Sequence, residues 1–161
     1  MSLSDVSNTL WRERRLLELL AFKLEEEQLV LAAGRHRWLA HATREVETVL
    51  AEIKRVELER AVQVAAAARE LGLEGSPTLR ELGGVSPAPW DGIFAEHRRA
   101  LLQLAQEIDA TTRSNRELLQ RGQQATHDAI AAMGEIDIDA YDARGALADR
   151  NLALRIVDEA I

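Results

Sequence analysis

The chain has 161 residues and a mass of 17.9 kDa, which fits one domain large enough to bury a hydrophobic core. Apolar residues make up 47% and charged residues 29%, a composition that excludes a disordered or membrane-embedded chain. Cysteine is absent, so disulfides, thiolate metal sites and cysteine nucleophiles are excluded. The N-terminus lacks a signal-peptide pattern, and no apolar run approaches the roughly 20 residues of a membrane span. We therefore expect a cytoplasmic protein without membrane insertion.

The net charge of −7 is unevenly distributed along the chain. Residues 1–71 carry 11 basic and 12 acidic side chains, whereas residues 134–161 carry three basic and seven acidic ones. The acidic end would repel a phosphate backbone, and no basic stripe elsewhere compensates for it. We expect no nucleic-acid partner.

Two long helices are predicted in the first 71 residues. Leucines recur every seven residues in the first stretch, and further apolar residues widen the stripe, which predicts a helix over 4–33. That stripe comprises Leu3, Val6, Leu10, Leu16, Leu17, Leu19, Leu20, Phe22, Leu24 and Leu31. Apolar residues spaced by three and four from Leu39 to Val56 predict a second helix over 36–71.

Gly34 lies between these two stretches and allows two interpretations. It can end the first helix at its C′ position, or it can lie within one unbroken helix over 4–71 at a cost of about 1 kcal/mol relative to alanine. An unbroken helix would be about 100 Å long, and a third helix of about 45 residues could not cover its apolar stripe. We therefore favour a turn at Gly34.

All three prolines and four of the nine glycines fall within residues 72–89, which predicts a connector over 72–88. Within it, Thr78 and Glu81 match a capping box, while Ser76 and Pro77 offer a competing helix start. We expect one short helical turn, with Leu79 and Leu82 anchoring the connector to the core.

A third long helix is predicted over 89–133 from a sustained three-and-four period. Its stripe comprises Phe94, His97, Leu101, Leu104, Ile108, Thr111, Asn115, Leu118, Gly122, Ala125 and Ala129. The predicted fold is an all-α antiparallel bundle of three long helices over residues 1–133.

Residues 134–161 form a separate predicted region. An acidic stretch ending at Gly145 is predicted to be an extended leash, and 146–161 is predicted to form an amphipathic helix. The apolar residues of that helix cover more than half of its circumference, and exposed apolar surface of this extent usually marks an interaction site. We therefore place partner-binding residues at Leu147, Leu152, Leu154, Ile156, Val157 and Ile161.

Catalytic and metal-binding patterns are not found. None of the four histidines follows a glutamate in the Glu-x-x-His spacing of di-metal bundles, and we interpret His36, His41, His97 and His127 as helix-surface residues. The acidic leash fails as a calcium loop because Asp142 stands where a glycine is required and Ala148 where an acid is required. Glu25, Glu26 and Glu27, like Glu45, Glu47 and Glu52, are predicted to lie on solvated faces. We expect no enzyme activity, no cofactor and no metal.

Asn115 is a polar residue at a core position of the third helix. It can be a buried residue that sets the helix register, a role established for single asparagines in helical bundles. Alternatively it can lie in an uncovered groove that binds a partner, since threonine, serine and glycine nearby also reduce the apolar content of the stripe. The groove interpretation predicts that Asn115→Leu stabilises the isolated protein and weakens partner binding. Under the register-setting interpretation, stability rises and partner affinity is unchanged.

The order of these elements resembles the FlgN family of flagellar export chaperones. The resemblance rests on two heptad-patterned helices, the connector motif Thr78–Leu82, the Asn-Arg-Glu-Leu-Leu of Asn115–Leu119 and the Tyr-Asp-Ala-Arg-Gly of Tyr141–Gly145. It implies a cytoplasmic chaperone that keeps the hook–filament junction proteins FlgK and FlgL unpolymerised. The implied partners are the C-terminal helical segments of these clients and the type III export apparatus, including export-gate or export-ATPase components.

The resemblance also implies where a client binds. It assigns client capture to the region from Tyr141 to Ile161 and adds Leu118 and Leu119 to the expected partner-binding residues. Family tails are often polar, whereas this one is rich in leucine and isoleucine, so the last helix can instead fold back on its own bundle. The alternative function is a helical adaptor or oligomerisation module that self-associates through its C-terminal helix.

Overall fold

The computed structural model describes residues 2–133. Four helices lie in that range: α1 (Ser2–Ala32), α2 (His36–Glu70), α3 (Leu79–Val85) and α4 (Trp90–Met133). The predicted all-α fold is confirmed, and each predicted long helix lies within two residues of the observed bounds. The predicted leash and the helix over 146–161 lie outside the described residues.

The central element of the bundle is α1, which packs against both α2 and α4, while α3 packs chiefly against α4. Side-chain pairs show that α1 and α2 are antiparallel, because Ser2 binds Glu70 and Lys23 binds Glu45. By contrast, α1 and α4 run parallel. Ser7 near the start of α1 contacts His97 near the start of α4, and Gln28 near the end of α1 binds Ser114 further along α4. The three long helices therefore alternate in direction along the chain.

The heptad leucines of α1 form the centre of the core. Leu10, Leu17 and Leu24 are each at most 1% exposed, and they contribute to one apolar cluster with residues of all three other helices. Complete burial of one such side chain contributes about 1.5–3 kcal/mol. The seven-residue period of the sequence therefore correctly identifies the residues that hold α1 between its neighbours.

The predicted turn at Gly34 is confirmed. Gly34 has φ +64°, and two backbone bonds close the helix end: Arg35 N–H donates to Val30 O at 3.1 Å, and Gly34 N–H donates to Leu31 O at 3.2 Å. This is the Schellman arrangement, which needs a left-handed residue at C′. Glycine adopts that conformation without steric cost, so α1 ends here.

The connector is anchored as predicted. Glu81 N–H donates to Thr78 Oγ1, and Thr78 N–H donates to Glu81 Oε2, which completes the capping box at the start of α3. Thr78 Oγ1 also donates to Glu81 Oε2, and the two bonds that this carboxylate accepts, from Thr78 N–H and Thr78 Oγ1, lower the pKa of Glu81. Leu79 and Leu82 are 3% and 0% exposed, so they fix the connector to the bundle.

The end of α4 extends past the rest of the bundle. Because Asn115 lies level with Glu27, the end of α1 at Ala32 is level with about residue 120 of α4. The remaining residues up to Met133 therefore project about 20 Å beyond α1. Ala125 and Ala129, predicted as core positions, are exposed because no neighbouring helix accompanies α4 there.

Candidate partner-binding surface

The structure brings three of the predicted partner-binding residues, Asn115, Leu118 and Leu119, to one short stretch of α4. Leu118 and Leu119 are half-buried where α4 passes the end of α1. The other predicted residues, Tyr141, Leu147, Leu152, Leu154, Ile156, Val157 and Ile161, lie outside the described residues.

Asn115 lies inside the bundle, 1% exposed. Its Nδ2 donates to the backbone oxygen of Leu24 at 2.9 Å and to Glu27 Oε1 at 3.2 Å. Both acceptors belong to α1, so the amide fixes the register of the parallel α1–α4 pair. This geometry is what the register-setting interpretation requires, and it leaves the amide donor fully engaged within the chain.

Glu27 is buried, 2% exposed, so the prediction that it lies on a solvated face is wrong. Its position three residues after Leu24 places it on the core side of α1, in phase with Leu20. Thr43 Oγ1 donates to Glu27 Oε2 at 3.1 Å, and Asn115 binds the other carboxylate oxygen. The carboxylate therefore links α1 to both of its neighbouring helices.

His97 is also buried, 1% exposed, and its interpretation as a surface histidine is wrong. Its Nε2 lies 3.2 Å from Ser7 Oγ, and its ring packs edge-on against Trp11 with centroids 5.1 Å apart. Burial, followed by the positive charge of Arg14, lowers the pKa of His97. The ring is therefore neutral at pH 7 and acts as a core contact between α1 and α4.

A buried charged cluster joins α1 and α2. Glu13 Oε1 lies 3.1 Å from Arg60 Nη1, and Glu57 lies one turn before Arg60 on the same helix. Burial raises the pKa of Glu13, with Arg60 opposing that rise, and burial followed by the charge of Glu13 raises the pKa of Glu57 to about 7. Sequence reasoning missed this cluster, although Glu13 lies in the heptad phase, three residues after Leu10 and four before Leu17.

The solvent-facing side of α1 carries a row of large apolar side chains, which we call the outer face. Its members are 41–70% exposed: Trp11 45%, Leu19 41%, Phe22 54% and Leu29 70%. Leu19 and Phe22 were predicted to widen the core stripe, and that prediction is wrong. Since α2 and α4 cover only the opposite side of α1, these side chains are left on the surface.

A cleft of about 640 Å³ lies between α3 and α4 and has a basic rim formed by Arg80, Arg98 and Arg99. Its apolar floor includes Leu79 and Phe94. The cleft contains one carboxylate, that of Asp91, and its lining includes no histidine, serine or lysine.

Between residues 2 and 133, no three histidine, aspartate or glutamate side chains come together in a way that could hold a metal ion. None of the four helices described is both long and apolar enough to cross a membrane.

A helical bundle that exposes a row of aromatic and leucine side chains on one helix is typical of protein-binding modules. The family model described as FlgN protein matches residues 1–149. The chain therefore belongs to the FlgN family, a family of flagellar export chaperones rather than of enzymes. No curated protein and no solved structure matches the chain.

Proposed function

We propose that this chain is a cytoplasmic export chaperone for hook–filament junction proteins of the FlgK and FlgL type. It binds these clients, keeps them unpolymerised and delivers them to the flagellar type III export apparatus, where export-gate or export-ATPase components receive the complex. The observation that carries the proposal is the family match, which spans the whole bundle and continues to residue 149.

We assign client capture to residues 134–161, as an arm separate from the bundle of residues 1–133. The apolar residues of 146–161 cover more than half of a helix circumference, so such a helix can contact a client helix on one side and another surface on the other. Helix-in-groove recognition uses apolar anchors at this spacing. The family match includes Tyr141 and Leu147 of this arm.

The junction between bundle and arm supports this assignment. Leu118 and Leu119 are half-buried, and α4 extends about 20 Å beyond them before the arm begins. A client helix held by the arm can therefore lie along the free end of α4 without disturbing the core between α1 and α2. In this proposal Leu118 and Leu119 form the base of the client site, while Asn115 beneath them keeps α4 in register.

Calorimetric titration with the C-terminal segment of a junction protein tests the proposal. The full chain is expected to bind, and a chain truncated after Gly145 is expected to lose binding while its circular dichroism stays helical. The bundle should remain folded because the core described within residues 2–133 lies outside the truncated segment. Equal binding by the truncated chain would contradict the assignment of the client site to the arm.

A matched pair of point variants tests the same site without truncation. Leu154→Asp in the arm is expected to weaken client binding at least tenfold, since a buried leucine contributes about 1.5–3 kcal/mol. Leu58→Asp on α2, where Leu58 is 72% exposed, should leave binding unchanged. Light scattering on the same samples addresses the adaptor alternative, in which Leu154→Asp would abolish self-association and no client would bind.

A further inference from the structure

The outer face of α1 contains a regular packing seam that no described helix covers. Arg15, Leu19, Phe22, Glu26 and Leu29 follow one another at spacings of four, three, four and three residues, which places them on one line along the helix. Leu29, Phe22 and Leu19 are 70%, 54% and 41% exposed. We call these five residues the outer seam.

The arm contains the complementary spacing. Leu147, Arg150, Leu154, Val157 and Ile161 follow at three, four, three and four residues, which is the order of the outer seam read backwards. Two helices whose seams match in this way interdigitate when they run antiparallel. This match exists in the sequence independently of any client.

The antiparallel register pairs side chains of complementary chemistry. Three layers are apolar: Leu147 lies opposite Leu29, Leu154 opposite Phe22 and Val157 opposite Leu19. The fourth layer pairs Arg150 with Glu26, and in the fifth Ile161 lies over the aliphatic stem of Arg15. Glu26 binds Lys23 through Oε2 at 3.0 Å, and we assign the same carboxylate as the acceptor for Arg150.

A parallel register fits the same residues less well. When Leu147 is placed opposite Leu19, Leu154 lies over the Glu26 carboxylate and Arg150 over Phe22. The ion pair is lost, and a carboxylate is covered by a leucine without a partner, which is costly. Charge complementarity therefore favours the antiparallel arrangement.

The connection between α4 and the arm is long enough for this arrangement. Because Asn115 lies level with Glu27, Leu29 is level with about residue 117, and Met133 lies about 24 Å further along the axis. The 14 residues from 134 to 147 can span about 46 Å when extended. The arm can thus return to Leu29 and continue toward Trp11, a length of about 27 Å that a 16-residue helix of about 24 Å nearly covers.

We propose that, in the client-free protein, residues 147–161 fold as a helix and dock antiparallel on the outer seam of their own α1, with Leu154 over Phe22. The docked helix covers exposed apolar surface on α1 and keeps its own leucines from water. Docking does not depend on the proposed function. If that function also holds, a client must compete with the outer seam for the arm.

Disulfide trapping tests the docking, because the chain has no cysteine of its own. Oxidation of the client-free double variant Phe22→Cys with Leu154→Cys should give a cross-linked monomer at a rate independent of protein concentration. The control pair Leu19→Cys with Leu147→Cys represents the parallel register and should cross-link little, since about 15 Å separates those positions in the antiparallel one. Equal trapping of both pairs, trapping of neither, or trapping mainly between two chains would overturn the proposal.

A charge exchange provides a second measurement that does not rely on cysteines. Glu26→Arg should increase amide exchange in residues 147–161, and adding Arg150→Glu should restore protection. If the double variant does not restore protection of residues 147–161, the pairing of Arg150 with Glu26 is contradicted. Client titration is run separately on the cysteine-free chain, so trapping without client binding would refute only the proposed function, and client binding without trapping would refute only the docking.

Discussion

Glu13 of α1 and Arg60 of α2 form an ion pair within the core, where their side chains are 0% and 6% exposed. Glu57 adds a second carboxylate on the side of Arg60 nearer the start of α2, and it too is buried, 6% exposed. Arg60 favours the ionised form of both carboxyls, and Lys54 also favours that of Glu57, but burial outweighs these charges and raises both pKa values. Ionising Glu57 beside the Glu13 carboxylate is therefore unfavourable in the core, which makes stability depend on pH.

We predict that titration of Glu57 lowers the free energy of unfolding as pH rises from about 5 to about 8. Burial and Glu13 raise the pKa of Glu57 from 4.5 to about 7, so in this window Glu57 binds more protons in the folded state than in the unfolded state. Glu57→Gln should flatten the pH dependence and be more stable than the wild type by about 2 kcal/mol at pH 8. Urea unfolding at four pH values measures this. Glu59→Gln, which alters only the exposed pair with Arg12, is the control and should keep the wild-type slope.

Removing Arg60 should have a much larger effect. Arg60→Met leaves the Glu13 carboxylate buried without its counter-charge, and loss of one partner of a buried pair costs about 3–5 kcal/mol. The double variant Glu13→Leu with Arg60→Met should recover most of that loss, because an apolar pair of similar volume replaces the charges. Denaturant unfolding of the four proteins gives the coupling energy. A double variant as unstable as Arg60→Met alone would contradict this account.

The contacts of Asn115 reverse the effect predicted from its position in the stripe. Asn115→Leu was expected to stabilise the protein, but it removes the amide donor that the buried Glu27 carboxylate receives. Loss of a donor to a buried acceptor costs about 1–3 kcal/mol, so we expect a lower melting temperature for Asn115→Leu. Thr43→Val, which removes the hydroxyl donor of Thr43 to Glu27, should cause a similar loss. A more stable Asn115→Leu protein would contradict the importance of this contact.

Two glycine substitutions should change stability in opposite directions. Gly34→Ala forces a side chain into the left-handed region at φ +64°, at a cost of about 1–2 kcal/mol. Gly122→Ala lies within α4 with no atom near the added Cβ, and it should stabilise by up to about 1 kcal/mol through helix propensity. Thermal unfolding followed by circular dichroism measures both. A destabilised Gly122→Ala would show that the end of α4 needs a small residue for contacts outside the described range.

Local signals in the sequence were sufficient for the helices and their ends. The heptad leucines, the left-handed glycine after α1 and the Thr78–Glu81 capping box each act through neighbours within a few residues, so their patterns can be interpreted without knowing the fold. The same signals failed for Leu19 and Phe22. Their exposure depends on how many helices surround α1, and a single-helix period carries no information about that number.

The burial of the polar core residues escapes the sequence pattern for a related reason. Glu13, Glu27 and His97 all lie in phase with buried leucines or Phe94, but residue type assigns Glu27 and His97 to the surface, and the pattern gives no prediction for Glu13. Their partners come from other helices: Arg60 for Glu13, Asn115 and Thr43 for Glu27, and Ser7 for His97. A buried polar side chain is tolerated when such a partner exists, and only the packed structure identifies the partner.

The overhang of α4 makes the end of this helix thermodynamically different from the part that lies inside the bundle. The first half is held by core side chains such as Phe94 and Leu101, whereas the last 13 residues have few buried contacts and must remain helical largely by intrinsic propensity. A helical segment of that length is marginal in water, so its amide protons should exchange far faster than those near Leu101. A ligand that binds this end should therefore order α4 as it binds. Its binding should show an unfavourable entropy and a gain in helical circular dichroism signal.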